Sequence, residues 1–252
     1  MAYLPSKDTV TITSTVSHFS NFELKRLTLL SSLPFPNIFA VTSLIKNDVI
    51  LTFEMASEVF SDFQKLSIKD RTSLVNSFVL KLRQIQPALD HVGKRAEFRR
   101  KGEEELRIMI SGFFGGSFVE GEEMEEKEIW RIFGPLWIHF FERVIEPIIA
   151  LNLDEIELMA IIWILFFDQA YTNITQKTVD LCWNIRKVVF RELRNYLMEK
   201  TENWEKRFME ILEIPMIVER AEQKFMEEFL ICEMNRIRVH DDFREIIRMH
   251  RT

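Results

Sequence analysis

The stretch Asp241-Asp242-Phe243-Arg244-Glu245 sets two adjacent carboxylates one helical turn before a third. On one face of a helix, that spacing can hold a magnesium ion. The chemistry needs a second metal-binding motif on a facing helix, usually well downstream, and only seven residues follow Glu245. The acids read more simply as the first turn of a helix, where they complement its positive dipole end. Nucleophilic chemistry has no better support. His18, His91, His139, His240 and His250 are scattered, and neither Cys182 nor Cys232 lies in a nucleophile signature. Two cysteines also exclude a disulfide framework and any cysteine-rich zinc module, which takes three or four ligands at close spacing, and they fit a reducing compartment. Gly115-Gly116 lacks the flanks of a phosphate loop. The reading is therefore of a protein that is not an enzyme and carries no cofactor and no metal.

The elements that would position these residues are helical. The chain has 252 residues, 47% of them hydrophobic, with 22 phenylalanines and seven each of glycine and proline. That composition is globular and too poor in loop formers for a β protein. Net charge is −6, which argues against a general phosphate-binding surface. A basic block (Lys94, Arg95, Arg99, Arg100, Lys101) and an acidic one (Glu120, Glu122, Glu123, Glu125, Glu126) read as solvated loops. No apolar stretch behind a basic start is present near the N-terminus, so a secretory signal is not expected. The longest apolar run, Leu158 to Phe167, covers half a bilayer and reads as a buried helix, so no membrane partner is expected.

Residues 1–20 are Ser/Thr-rich and expected as a flexible arm, with one domain over 21–252. Helices are expected over 21–31, 42–66, 68–90, 128–150, 174–199, 203–234 and 241–249, with breaks at 33–37 and a bend at Pro215. Another begins near Asn152, with Asn152 as N-cap and Glu155 as its capping-box partner, and Asn173 with Gln176 forms a similar start. Gly134 and Pro135 mark a bend or a helix start. Leu106, Ile108 and Ile110 alternate with Arg107, Met109 and Ser111, which predicts a small strand or hairpin over 106–114.

Ser67 follows one helical stripe and precedes the next as an N-cap, with Asp70 at the third helical position. The fuller pattern is Phe63-x-x-Leu66-x-x-x-Asp70-Arg71-x-x-Leu74-Val75. It resembles the signature of nuclear receptor ligand-binding domains, Phe-x-x-Leu-x-x-x-Asp-Gln-x-x-Leu-Leu, and departs from it at Arg71 and Val75. Leu151-x-Leu153-x-x-x-Glu157 is similar to the opening of that family's eighth helix. Phe243-Arg244-Glu245-Ile246-Ile247 resembles its activation helix, although Asp242 breaks the first apolar position. The order of the three pieces agrees with the family, and the Phe-rich style looks most like its divergent nematode members.

The resemblance implies an all-α, three-layer helical sandwich with one small β-turn or hairpin, around a pocket for a small lipophilic ligand. Val49, Phe53, Ala56, Val79 and Arg83 are the expected ligand-binding residues. A groove for coregulator helices would involve Glu58, Ile68, Thr72, Val75, Phe243 and Glu245. Glu58 stands where the family places a lysine, so binding of the usual coactivator helix is expected to be weakened. Homo- or heterodimers would form through the 203–234 helix. The zinc-bearing DNA-binding module of the family has no counterpart here, so direct DNA binding is not expected of this chain. The expected role is transcriptional regulation in the nucleus, with the cytoplasm as second compartment. The competing reading is an interaction module of the same fold that binds no ligand and titrates other receptors by dimerising with them.

Overall fold

Ser67 turns the chain from one helix into the next as its type suggests: its Oγ accepts the Asp70 N–H at 3.1 Å. The computed structural model describes residues 11–33, 37–90, 102–171 and 173–251. Among them the chain forms twelve α-helices and one π segment. These are α1 (Ile12–Ser31), α2 (Ile38–Ser43), α3 (Ile45–Val59), α4 (Ser61–Gln64), α5 (Ile68–Asp90), α6 (Glu103–Gly115) and α7 (Glu126–Phe140). The π segment Phe141–Ile145 follows, then α8 (Glu146–Ala150), α9 (Glu155–Phe166), α10 (Gln176–Lys200), α11 (Trp204–Met234) and α12 (Asp241–Arg251). Helices α5 and α9 pack together at the centre; α1 packs on α9, α3 on α5, α10 on α9, and α11 on both.

Helix α9 is apolar nearly all round, and Met159 to Phe166 are all buried. Its aromatic rings fill the space toward α3 and α5. Phe60 meets Trp163 and Phe167 edge-on, each at 4.8 Å between centroids, and Phe78 meets Phe166 at 5.1 Å. This anchoring holds Phe60 in an extended conformation (φ −117°, ψ 103°) and separates α3 from α4; with a further break at Leu44, the single helix expected over 42–66 is instead the end of α2, α3 and α4.

Four further expectations are corrected. The hairpin at 106–114 is helix α6: Glu103, Glu104 and Glu105 complement the dipole of its first turn, while Ile110 and Phe114, one turn apart, bury its inner face. The strand content of the described residues is one isolated bridge, Phe118 with Ile237. Residues 12–20, expected in a flexible arm, are the first half of α1; Ile12, Thr15 and Phe19 are buried, and Thr15 Oγ1 accepts the Trp163 indole N–H at 2.9 Å. The cap of α9 is Asp154 with Glu157, two residues beyond the expected pair, because Asn152 adopts a left-handed turn (φ +47°). Gly134 and Pro135 lie inside α7, where the Trp130 ring would stand 2.8 Å from a Cβ on Gly134. Residues 1–10, the 34–36 part of the first break and the basic block 94–101 lie outside the described residues. The acidic run Glu120–Glu126 is exposed, apart from half-buried Met124.

Three clusters of charged side chains tie the layers. Asp70 Oδ1 accepts the Thr175 N–H at 3.1 Å, and Oδ2 accepts the hydroxyls of Thr175 at 2.7 Å and Thr178 at 2.8 Å. Burial would raise this carboxyl, but the Thr175 and Thr178 bonds more than offset it and hold it below the usual carboxylate range. Glu157, fully buried, receives Arg207 on both oxygens at 2.8 and 2.6 Å, with Lys200 at 3.5 Å. Asp168 joins Lys81 at 2.6 Å and Arg186 at 3.1 Å.

Candidate functional site

A cavity of about 520 Å³ lies between α5, α6, the α7–π–α8 segment and α11. Its wall is built from Phe113 of α6, Leu136, Trp137 and Phe140 of α7, and Ile217, Ala221 and Phe225 of α11. Arg83, Gln84 and Pro87 of α5 complete the lining on that side. The π segment contributes Glu142, Arg143 and Val144 together. In an α-helix, three consecutive residues point to well separated directions; the wider π turn brings them closer in rotation. The Glu146 N–H reaches back to the Phe141 carbonyl, and Pro147, next in sequence, has no N–H to offer Arg143.

Eight of the eighteen lining residues are polar or charged, and they are unevenly placed. Arg83 Nη2 donates to the Val41 carbonyl at 2.7 Å and lies 3.5 Å from Asp48 Oδ2. Asp48 also binds Arg26 at 3.1 Å, and the Arg83 guanidinium lies 5.5 Å from the Phe243 ring centre. Burial pushes the Arg83 guanidinium below its usual value, against the pull of Asp48. Glu228 of α11 lines the cavity, and burial raises its carboxyl to about 7. His139, Glu142, Arg143, Arg220 and Lys224 are exposed at the rim.

A second, more polar cleft of about 650 Å³ is bounded by α5 (Ile68, Lys69, Thr72, Ser73, Asn76, Ser77), by Ala170, Tyr171 and Asn173 after α9, and by Met249 of α12. Met249 is held there: its sulfur lies 4.0 Å from Asn76 Nδ2, and its carbonyl accepts from Asn173 Nδ2 at 3.4 Å. Helix α12 packs along α2, α3 and α5, burying Phe243, Ile246 and Ile247.

The sequence profile of the ligand-binding domain of nuclear hormone receptors matches residues 31–235. Two Caenorhabditis elegans proteins are similar. Nuclear hormone receptor family member nhr-150 is 38% identical over 213 residues, which is 84% of this chain. Nuclear hormone receptor family member nhr-16 is 23% identical over 192 residues, 74% of this chain. The chain belongs to the nuclear hormone receptor ligand-binding domain family. Its matches span 62% and 49% of the two relatives' own lengths. Members of this family are ligand-regulated transcription factors, not enzymes.

Within this ligand-binding domain the signature residues are structural. Phe63, Leu66, Asp70 and Leu74 are buried, and Arg71 lies over the Phe53 ring at 5.2 Å. Of the five residues expected to bind ligand, Arg83 lines the cavity beside α11. Val49 and Phe53 are half-buried, Ala56 and Val79 are fully buried, and none of the four lines it, because aromatic rings occupy the space between α3 and α9. Ile68 and Thr72 share the second cleft, whereas Val75 and Phe243 are core residues. Glu58 faces His18 of α1 at 3.2 Å, and Glu245 is exposed. The sequence reading missed Trp137, Phe140, Phe225 and Glu228 as cavity residues. The first two lie in an apolar stripe of the 128–150 segment that fits a core face equally well, and Pro147, unable to continue the hydrogen-bond ladder, was the available sign that the stripe changes direction.

Proposed function

We propose that this domain senses a small lipophilic ligand in the cavity beside α11 and relays its occupancy to coregulators and receptor partners, acting on transcription in the nucleus. The observation that carries the reading is the cavity itself: about 520 Å³, walled by Phe113, Trp137, Phe140 and Phe225, in a fold that otherwise fills its interior with aromatic rings. Phe225 supports the relay, since its ring lies 5.8 Å from that of Phe243, which α12 buries. A ligand against Phe225 therefore bears on the seat of α12. Coregulator helices would engage near Ile68 and Thr72, where α12 contributes Met249. Native mass spectrometry of the purified chain, followed by organic extraction, tests the reading. A one-to-one adduct of small-molecule mass supports it; a ligand-free mass after incubation with a lipid extract counts against it.

The second reading is a ligand-independent module that binds other receptors. Exposed Met209 and Met216, two turns apart on α11, favour it, together with exposed Trp183 and Met198 on α10. Strong heterodimerisation with the cavity blocked would select this reading.

A further inference from the structure

Arg143 of the π segment and Arg220 of α11 both line the cavity and are exposed at its rim, on two elements that pack together. Among the described residues neither has an acidic partner within ion-pair distance; other exposed arginines, Arg191 and Arg248 among them, also lack one, so what distinguishes these two is their place at a cavity. In a chain of net charge −6, two unpaired guanidinium groups at the opening of an apolar cavity are an uneven placement of positive charge. Lys224 adds a third cation one turn beyond Arg220, although it is shared with Glu227. Behind them the cavity turns aromatic. A wholly apolar ligand would leave the two arginines without use; a molecule with an acidic head and an apolar tail uses both regions.

We infer that the cavity takes an amphipathic anion, its head held between Arg143 and Arg220 and its tail lying against Trp137, Phe140 and Phe225. This rests on the reading of the cavity as a ligand pocket. The head chemistry is that of a carboxylate or phosphate monoester, both of which guanidinium groups bind through paired donors. Two acids also line the cavity. Glu142 is exposed to solvent at the rim, and Glu228 sits deeper, where burial keeps it largely protonated below neutral pH. If Glu228 were the anchor, the preferred head would be cationic, and that outcome belongs to the test.

The experiment is displacement of Nile red from the full chain by dodecanoate, dodecyl phosphate, dodecanol and dodecylammonium, each below its micelle concentration. The expected result is that an anion displaces the dye at roughly tenfold lower concentration than dodecanol, as a charge-assisted hydrogen bond allows. The two anions between them identify the head. Each methylene added to the tail should tighten binding roughly fourfold until the cavity is full. The R143Q/R220Q variant, whose folding is checked by circular dichroism, should bring anion and alcohol to within about twofold of each other. Dodecanol or dodecylammonium binding as tightly as the anions, or a preference that survives in R143Q/R220Q, overturns the inference while leaving the pocket intact. Failure of all four to displace dye, with dye binding unchanged in Ala221→Trp and Ile217→Trp, overturns the pocket reading as well.

Discussion

Replacing Asp70 by alanine removes the carboxylate on which helix α10 starts. Three hydrogen bonds go with it, and the Thr175 N–H at the cap of α10 is left without an acceptor. Hydrogen bonds to an ionised acceptor contribute about 1.5–3 kcal/mol each. These three share one group, and the two hydroxyls can turn elsewhere, so the low end applies and the loss should be about 3–5 kcal/mol. That is a large part of the roughly 5–15 kcal/mol that holds a domain folded. With a slope of about 2–3 kcal/mol/M in urea, the midpoint should fall by about 1–2 M while the slope stays constant. Asp70→Asn keeps one oxygen for the Thr175 N–H and should lose less, about 1–2 kcal/mol. The pH dependence gives a second reading. The Asp70 carboxyl lies below its usual value in the folded state, so its contribution is present above that usual value and is lost as pH falls through the folded one. The gap between wild type and Asp70→Ala should therefore narrow in acid. A loss under about 1 kcal/mol, or a gap that does not narrow, would show that the signature aspartate is not the joint between α5 and α10.

Other outcomes follow from the same physics. Arg207→Met leaves buried Glu157 with Lys200 as its one cation beside the Asp154 N–H, so it should cost about 2–4 kcal/mol, and adding Glu157→Gln should recover part of that; urea unfolding of the single and double variants reads both. Burial raises Glu228 to about 7, so its contribution to stability is complete below its ordinary value near 4.5 and fades as pH rises through about 7. Glu228→Gln should then stabilise by about 1–2 kcal/mol at pH about 8 and not at pH about 5, seen as a thermal shift present in one buffer and absent in the other. Met209→Glu with Met216→Glu should weaken self- or receptor association in sedimentation velocity without lowering the melting temperature, since both side chains are exposed.

How far the sequence could be read depended on how many answers its spacing allowed. Helices α5 and α11 are long and periodic, and α9 is apolar nearly all round, so each is buried as its pattern implies; Leu74, Phe78, Leu82 and Ile85 of α5 all reach the core. Helix α6 has 13 residues, and its letters support two periods at once. Leu106, Ile108 and Ile110 alternate as in a strand, while Leu106, Ile110 and Phe114 repeat as in a helix. Three glutamates after Gly102 decide for the helix, a weak signal that alternation obscured. The cap of α9 slipped by two residues because Asn152 and Asp154 are both good capping types, and only the backbone turn at Asn152 separates them. The ligand cavity was the hardest to read. A resemblance placed it on α3, but the volumes of Phe60, Phe63, Phe78, Phe166 and Phe167 fill that side. The space left over lies beyond α5, and Arg83 reaches it from a fixed position between Asp48 and Phe243.

The most direct test of an open cavity needs no knowledge of the ligand. Crystals of the chain pressurised with xenon should show anomalous density enclosed by Phe113, Trp137, Phe140 and Phe225, because an apolar space of about 520 Å³ takes up the gas. Xenon bound there, and lost in Ala221→Trp, is the predicted result. Side chains packed through that volume with no xenon among them would contradict the account and leave the dimerising module as the function of this fold.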